Sequence, residues 1–195
     1  MKLKIIIISA ISIVAFFTTF TYHLTQRADM SYYQGHRLFL KGKYAKAESH
    51  YTKAIEEGST RRETYEELAY CYLWTGNSER SIQLFQDIVV WDPDDLEIKI
   101  SLARAYSWNR RYREAIGILK GIVLTTDSDR AKKTLAEVYL WNGQPKESKI
   151  ILEPLVKRYP DDQGLKLLWG KALYYTGDPE KASRVFEEVL KEGNE

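Results

Sequence analysis

Between residues 28 and 195 the small and apolar positions fall into a fixed rhythm. A small residue stands at Gly35, Ala69, Ala103, Ala136 and Gly170, in steps of 34, 34, 33 and 34 residues. Seven residues after four of these comes Gly42, Gly76, Gly143 or Gly177, where the backbone is free to leave a helix in a left-handed conformation. The third period has Arg110 there instead. Five residues on lies a second small series, Ala47, Ser81, Ala115, Ser148 and Ala182. It is followed four later by Tyr51, Phe85, Leu119, Leu152 and Phe186, and three after that by Ala54, Ile88, Ile122, Leu155 and Val189. Spacings of three and four put these residues on one helical face. The pattern predicts five helix-turn-helix hairpins, each burying its apolar faces against the next.

The segments "AYCYLWTGNSERSIQLFQDIVVWDP" and "AEVYLWNGQPKESKIILEPLVKRYP" carry this rhythm most clearly, and they resemble the tetratricopeptide repeat. Pro93 and Pro160 occupy that family's inter-repeat proline place, whereas Ser59 and Asp127 depart from it. Asp178 before Pro179, and Pro145 after Gly143 and Gln144, independently mark helix starts. The resemblance implies an all-α, right-handed superhelical solenoid of five hairpins, with repeats at about 28–61, 62–95, 96–128, 129–162 and 163–195. Some members of the family clamp a peptide's terminal carboxylate with Lys and Asn on their first helices. The corresponding places here hold Tyr32, His36, Glu66, Tyr70 and Ile100, so that activity is not expected.

Residues 1–27 are of another kind. No charged side chain occurs from Ile5 to Gln26, and Ile5 to Phe20 is rich in Ile, Val and Phe. Six Ile, one Val and three Phe, at roughly −0.3 to −0.6 kcal/mol each, favour insertion by about 3 to 6 kcal/mol. The segment is expected to be a transmembrane signal-anchor whose apolar residues include Ile5, Ile8, Ile11, Val14, Phe16, Phe17 and Phe20. A cleaved signal peptide is the rival reading, but Thr18 to Tyr22 offers no Ala-x-Ala site. Lys2 and Lys4 favour a cytoplasmic start. The expectation is a single-pass protein, in a bacterium of the inner membrane, with its repeats in the periplasm and Gln26 to Met30 as the hinge between anchor and array.

Charge and cysteine content narrow the chemistry. The net charge is +2, from 29 basic and 27 acidic residues. Without Lys2, Lys4 and Arg27 the repeats hold 26 basic and 27 acidic residues, or −1, which leaves no electrostatic footprint for nucleic acid. Cys71, the only cysteine, has no neighbouring histidine and reads as a small packed hydrophobe. His23, His36 and His50 lack the spacing of metal ligands, and there is no phosphate-cradling loop or nucleophile elbow. No enzyme activity, cofactor or metal is expected.

One series exceeds what packing requires. Near the end of successive first helices come Leu40, Trp74, Trp108, Trp141 and Tyr175, and one turn earlier His36, Tyr70, Arg104, Glu137 and Lys171. Each indole either caps its own hairpin or offers a rung to a ligand. On the second reading, Tyr70, Trp74, Arg104, Trp108, Glu137, Trp141, Lys171 and Tyr175 line a partner-binding groove, since Trp and Tyr are favoured at interface hot spots. Trp91 and Trp169 stand outside the series and read as structural, while Phe186 and Val189 leave an apolar edge for self-association.

The arrangement of one N-terminal span and a short repeat array is similar to bacterial inner-membrane accessory proteins that assist cytochrome c maturation or secretion clients. It implies a non-enzymatic scaffold binding a protein client within a cell-envelope complex. The alternative is a periplasmic glycan-binding component of exopolysaccharide synthesis or export, because "YSWNRRYREA" and "YLWNGQPKES" resemble repeat segments of polysaccharide-export machinery.

Overall fold

A computed structural model describes residues 2–192, of which the side chains of residues 2–12, 20, 24 and 192 fall outside the description. Ten helices and no strand occur among the described residues. In chain order they are α1 (Lys2–Phe39), α2 (Tyr44–Glu56), α3 (Arg62–Trp74), α4 (Ser78–Trp91), α5 (Leu96–Trp108), α6 (Tyr112–Thr125), α7 (Asp129–Trp141), α8 (Pro145–Arg158), α9 (Gln163–Tyr175) and α10 (Pro179–Glu192). The chain divides into two compact units, Met1–Ile88 and Val89–Glu195.

In the first unit α2 packs against both α1 and α3. Tyr32, Ala47, Tyr51, Ala54, Leu68 and Cys71 form its core. The small residue of each first helix has a direct cause here: a Cβ on Gly35 would stand 2.7 Å from the Tyr51 ring, which is wholly buried. The α3 and α4 segments pair in the same way, the Ser81 hydroxyl donating to the Ala69 carbonyl at 2.9 Å and the Tyr70 ring meeting Phe85 edge-on at 5.1 Å. In the second unit α5 pairs with α6, α7 with α8 and α9 with α10. Alternate helices also touch, α5 with α7 and α7 with α9. Ala136, Leu152, Leu155, Leu165 and Ala172 make the core between the last two hairpins.

Each hairpin turn repeats one geometry. Gly42, Gly76, Gly143 and Gly177 all have positive φ, and so does Arg110, at 59°. At Arg110 the N–H donates to the Ser107 carbonyl, and the next N–H, of Arg111, reaches back to Tyr106 at 2.9 Å. The same pair of bonds closes the helix before Gly42, from Gly42 to Phe39 and from Lys43 to Leu38.

The N-terminal segment differs from expectation in two ways. No break separates an anchor from the array, because α1 runs unbroken through Gln26 to Met30 and is itself the first helix of the first hairpin. Among the described residues no helix is long and apolar enough to cross a membrane. This overturns the expectation of a single-pass inner-membrane protein with periplasmic repeats. Of the residues assigned to the anchor, Val14, Phe16 and Phe17 are exposed, and the side chains of Ile5, Ile8, Ile11 and Phe20 lie outside the described residues.

Candidate binding groove

In the second unit three first helices end on the residues of the aromatic series: α5 on Trp108, α7 on Trp141 and α9 on Tyr175. Since α5 touches α7 and α7 touches α9, the three rungs stand at the same end of adjacent helices. Trp108 is 41 % exposed, Trp141 44 % and Tyr175 65 %. More than an edge of each ring is open, as when one face of an aromatic packs on its hairpin and the other meets solvent. Tyr175 meets Tyr174 edge-on at 5.5 Å, and both are exposed.

One turn earlier, Arg104 and Glu137 are half-buried and Lys171 is exposed. The Arg104 guanidinium reaches α7, where Nη2 donates to the Thr134 hydroxyl at 3.5 Å, while its Nε is buried without an acceptor among the described residues. The rail beside the rungs is therefore of mixed charge. Trp169 is half-buried against the last core, its ring 6.0 Å from the Lys149 ammonium, as a structural residue should be. Trp91 ends α4 but is 54 % exposed.

In the first unit the equivalent places are filled differently. Trp74 ends α3 and is 54 % exposed, with one face stacked on Tyr44 at 5.8 Å and 16°. Tyr70 is half-buried between Phe85 and Phe39, whose ring is 6.5 Å away. His36 is drawn inward: its ring stacks on Tyr32 at 5.7 Å, and Nδ1 lies 2.9 Å from both carboxylate oxygens of Glu67. The Tyr51 hydroxyl donates to the same carboxylate. Burial, then Glu67 and Glu63, push the Tyr32 phenol up to about 12, and burial followed by Glu67 raises Tyr51 further. Arg61 lies over Tyr32 at 4.8 Å and pairs with Asp29 at 2.9 Å. Sequence reasoning missed this knot, because the contacts that join its helices link residues 16 to 32 apart, with no local spacing to reveal them.

A second knot ties the loop end of the second unit. Asp129 accepts from the Tyr159 hydroxyl at 2.6 Å and from Arg158 at 2.8 Å, which with Lys132 hold its carboxyl below the usual range. Cavities of about 200 and 230 Å³ flank it, with Leu155 in the wall of both. Because its carboxylate is already satisfied, Asp129 acts as a tie between α7 and α8.

Residues 38–99 match the family model of the tetratricopeptide repeat. No curated protein matches the chain in sequence. Among solved structures, a tetratricopeptide repeat protein from Parabacteroides merdae ATCC 43184 superimposes with a TM-score of 0.75 at 21 % identity. The match covers 84 % of this chain and 64 % of that one, so the chain spans under two thirds of that protein's length. MamA from Desulfovibrio magneticus RS-1 gives 0.70 at 15 % identity, covering 85 % of this chain and 94 % of the other. A thermophilic tetratricopeptide repeat protein of Thermus thermophilus gives 0.68 at 17 %, covering 84 % and 90 %. At such identities the likeness is one of fold. The chain therefore has the fold of a tetratricopeptide repeat array, and residues 38–99 carry that family's sequence signature.

Proposed function

We propose that this protein is a non-enzymatic scaffold that holds a protein partner against the first helices of its second unit. Tetratricopeptide arrays in general are non-catalytic interaction modules, and stacked hairpins suit them to present extended surfaces. The observation that carries the reading is the exposure of Trp108, Trp141 and Tyr175 at the same end of adjacent helices. Large rigid aromatics gain contact area at small entropic cost, which is why they dominate interface energetics. Arg104, Glu137 and Lys171 beside them would orient an extended or helical segment of the partner. In the first unit Tyr70 and Trp74 form a smaller patch of the same character.

The test is crosslinking and mass spectrometry on the full chain, beside a variant with Trp108→Ala, Trp141→Ala and Tyr175→Ala that keeps its helicity. Partners lost from the variant support the groove. Partners that persist place the interaction on another face. Indole exposure also favours a second reading, a neutral glycan stacked on the rungs. Trp108→Ala would then weaken a soluble glycan's binding isotherm, and an unchanged isotherm would dismiss it.

A further inference from the structure

The second helix of the third hairpin, α6, breaks the rule by which its equivalents are built. From Ala115 to Leu124 it reads AIGILKGIVL, with Lys120 as the only charge. A helix that is apolar all round is normally buried all round. Ala115, Leu119 and Ile122 do face the core, at 4 % exposure or less. The opposite side, Gly117, Gly121 and Leu124, faces solvent, with Leu124 82 % exposed. Along this side runs a groove of about 400 Å³ lined by Gly117, Gly121 and Ile118 of α6, Leu96 and Leu102 of α5, and Val89 from the last turn of α4. That last turn also carries Val90, 76 % exposed, and Trp91.

Nothing internal calls for the two glycines. Neither has a positive φ, and a Cβ at either would meet nothing within 4 Å. Glycine inside a helix is a destabilising choice. The equivalent places in the other hairpins are Ser49 and Lys53, Gln83 and Asp87, Ile150 and Pro154, and Arg184 and Glu188. What two glycines one turn apart do supply is room for a second backbone to come close. Among the described residues, Lys99 of α5 is the one charged residue in the groove's lining, and the exposed Lys120 precedes Gly121 on α6. Neither forms a salt bridge among the described residues, and Glu114, the one acid of α6, is engaged by Arg111 at 2.8 Å.

We infer that this groove docks an amphipathic helix of a partner protein, with small aliphatic residues on its apolar stripe and acidic residues along its flanks. Gly117 and Gly121 admit the close approach. Leu124 and the groove walls bury the stripe, and Lys99 and Lys120 select the acidic flanks. The surface is built from α6, the last turn of α4 and residues 96–102 of α5, whereas the rung Trp108 stands at the other end of α5, so the two stand or fall independently.

The probe is a fluorescent synthetic helix with an Ala/Leu stripe flanked by glutamates, titrated into the full chain, with a lysine-flanked twin as control. The glutamate peptide should bind saturably and the twin at least about tenfold more weakly. Lys99→Glu with Lys120→Glu should reverse that preference. Gly117→Leu with Gly121→Leu should abolish binding, whereas Gly117→Ala with Gly121→Ala should unfold at no lower a temperature than the parent, which shows that the positions tolerate a side chain. Absence of saturable binding, equal binding of both peptides, or retention by the leucine variant overturns the inference. So does a dimer of the free chain that Gly121→Leu dissolves, since the occupant would then be a second copy.

Discussion

Arg110 is the one non-glycine residue in the left-handed region among the described residues, and it sits where four other hairpins place glycine. Its turn is nonetheless closed by the same two backbone bonds, so the fold holds the geometry against the preference of the residue. Its neighbour Arg111 anchors the turn, stacking on Tyr106 at 4.6 Å and pairing with Glu114. Arg110→Gly is expected to relieve the steric cost of a Cβ in that conformation while adding unfolded-state entropy, a net gain of about 0.5 to 1 kcal/mol. Urea denaturation checks it: the midpoint should rise with an unchanged slope. This residue was legible in advance as an exception to the glycine series. That the exception kept the turn is known only from its φ.

Helix starts show how far local signals reach. Pro145 and Pro179 open α8 and α10 as their sequence context indicates, and Asp178 accepts from the Lys181 amide at 3.3 Å. Three further caps went unread. Asp95, Ser128 and Asp162 each accept an amide of the first turn of α5, α7 or α9, with Leu165 donating to Asp162 at 2.9 Å. Asp162 also receives Lys133 of α7 at 2.9 Å, so one carboxylate caps α9 and ties it to its neighbour. Burial works to raise its pKa, but Lys133 and the Leu165 amide outweigh this and hold it below the ordinary 3.8. A depressed carboxylate contributes stability above its unfolded pKa and loses it as pH falls through the folded value. Asp162→Ala should therefore cost about 1 kcal/mol at neutral pH, mostly through the lost cap, since so exposed an ion pair adds only a few tenths. Denaturation across pH should show the gap to wild type closing as pH is taken below 3.8. A gap that persists in acid would mean that packing, and not the carboxylate, is responsible.

At the scale of the molecule the groups raised furthest gather in the first unit. Cys71 is fully buried and its thiol is pushed up to about 12, chiefly by burial and then by Glu48 and Glu67. Tyr32 reaches about 12, and Tyr51 is raised as well. For groups raised on folding the sign is opposite to that of Asp162: their stability is whole below the ordinary values of 9.0 and 10.0 and drains as pH rises through them. Limited proteolysis at about pH 10.5 should thus open residues 44–74 before the second unit, and simultaneous opening would contradict it. The hairpin period, its left-handed turns and the small-against-large pairing, such as Gly35 on Tyr51, were all written in the sequence. Each depends on residues one helical turn or one repeat apart. The candidate rungs were visible on the same ground, as a series in phase. Their exposure was not, because whether an indole lies on its own hairpin or in solvent depends on how neighbouring helices pack. The Glu67 knot, the ties of Asp129 and Asp162 to other helices and the groove on α6 were decided by tertiary structure alone. They join side chains brought together by the packing of separate helices, or leave uncovered a face that periodicity alone would have buried.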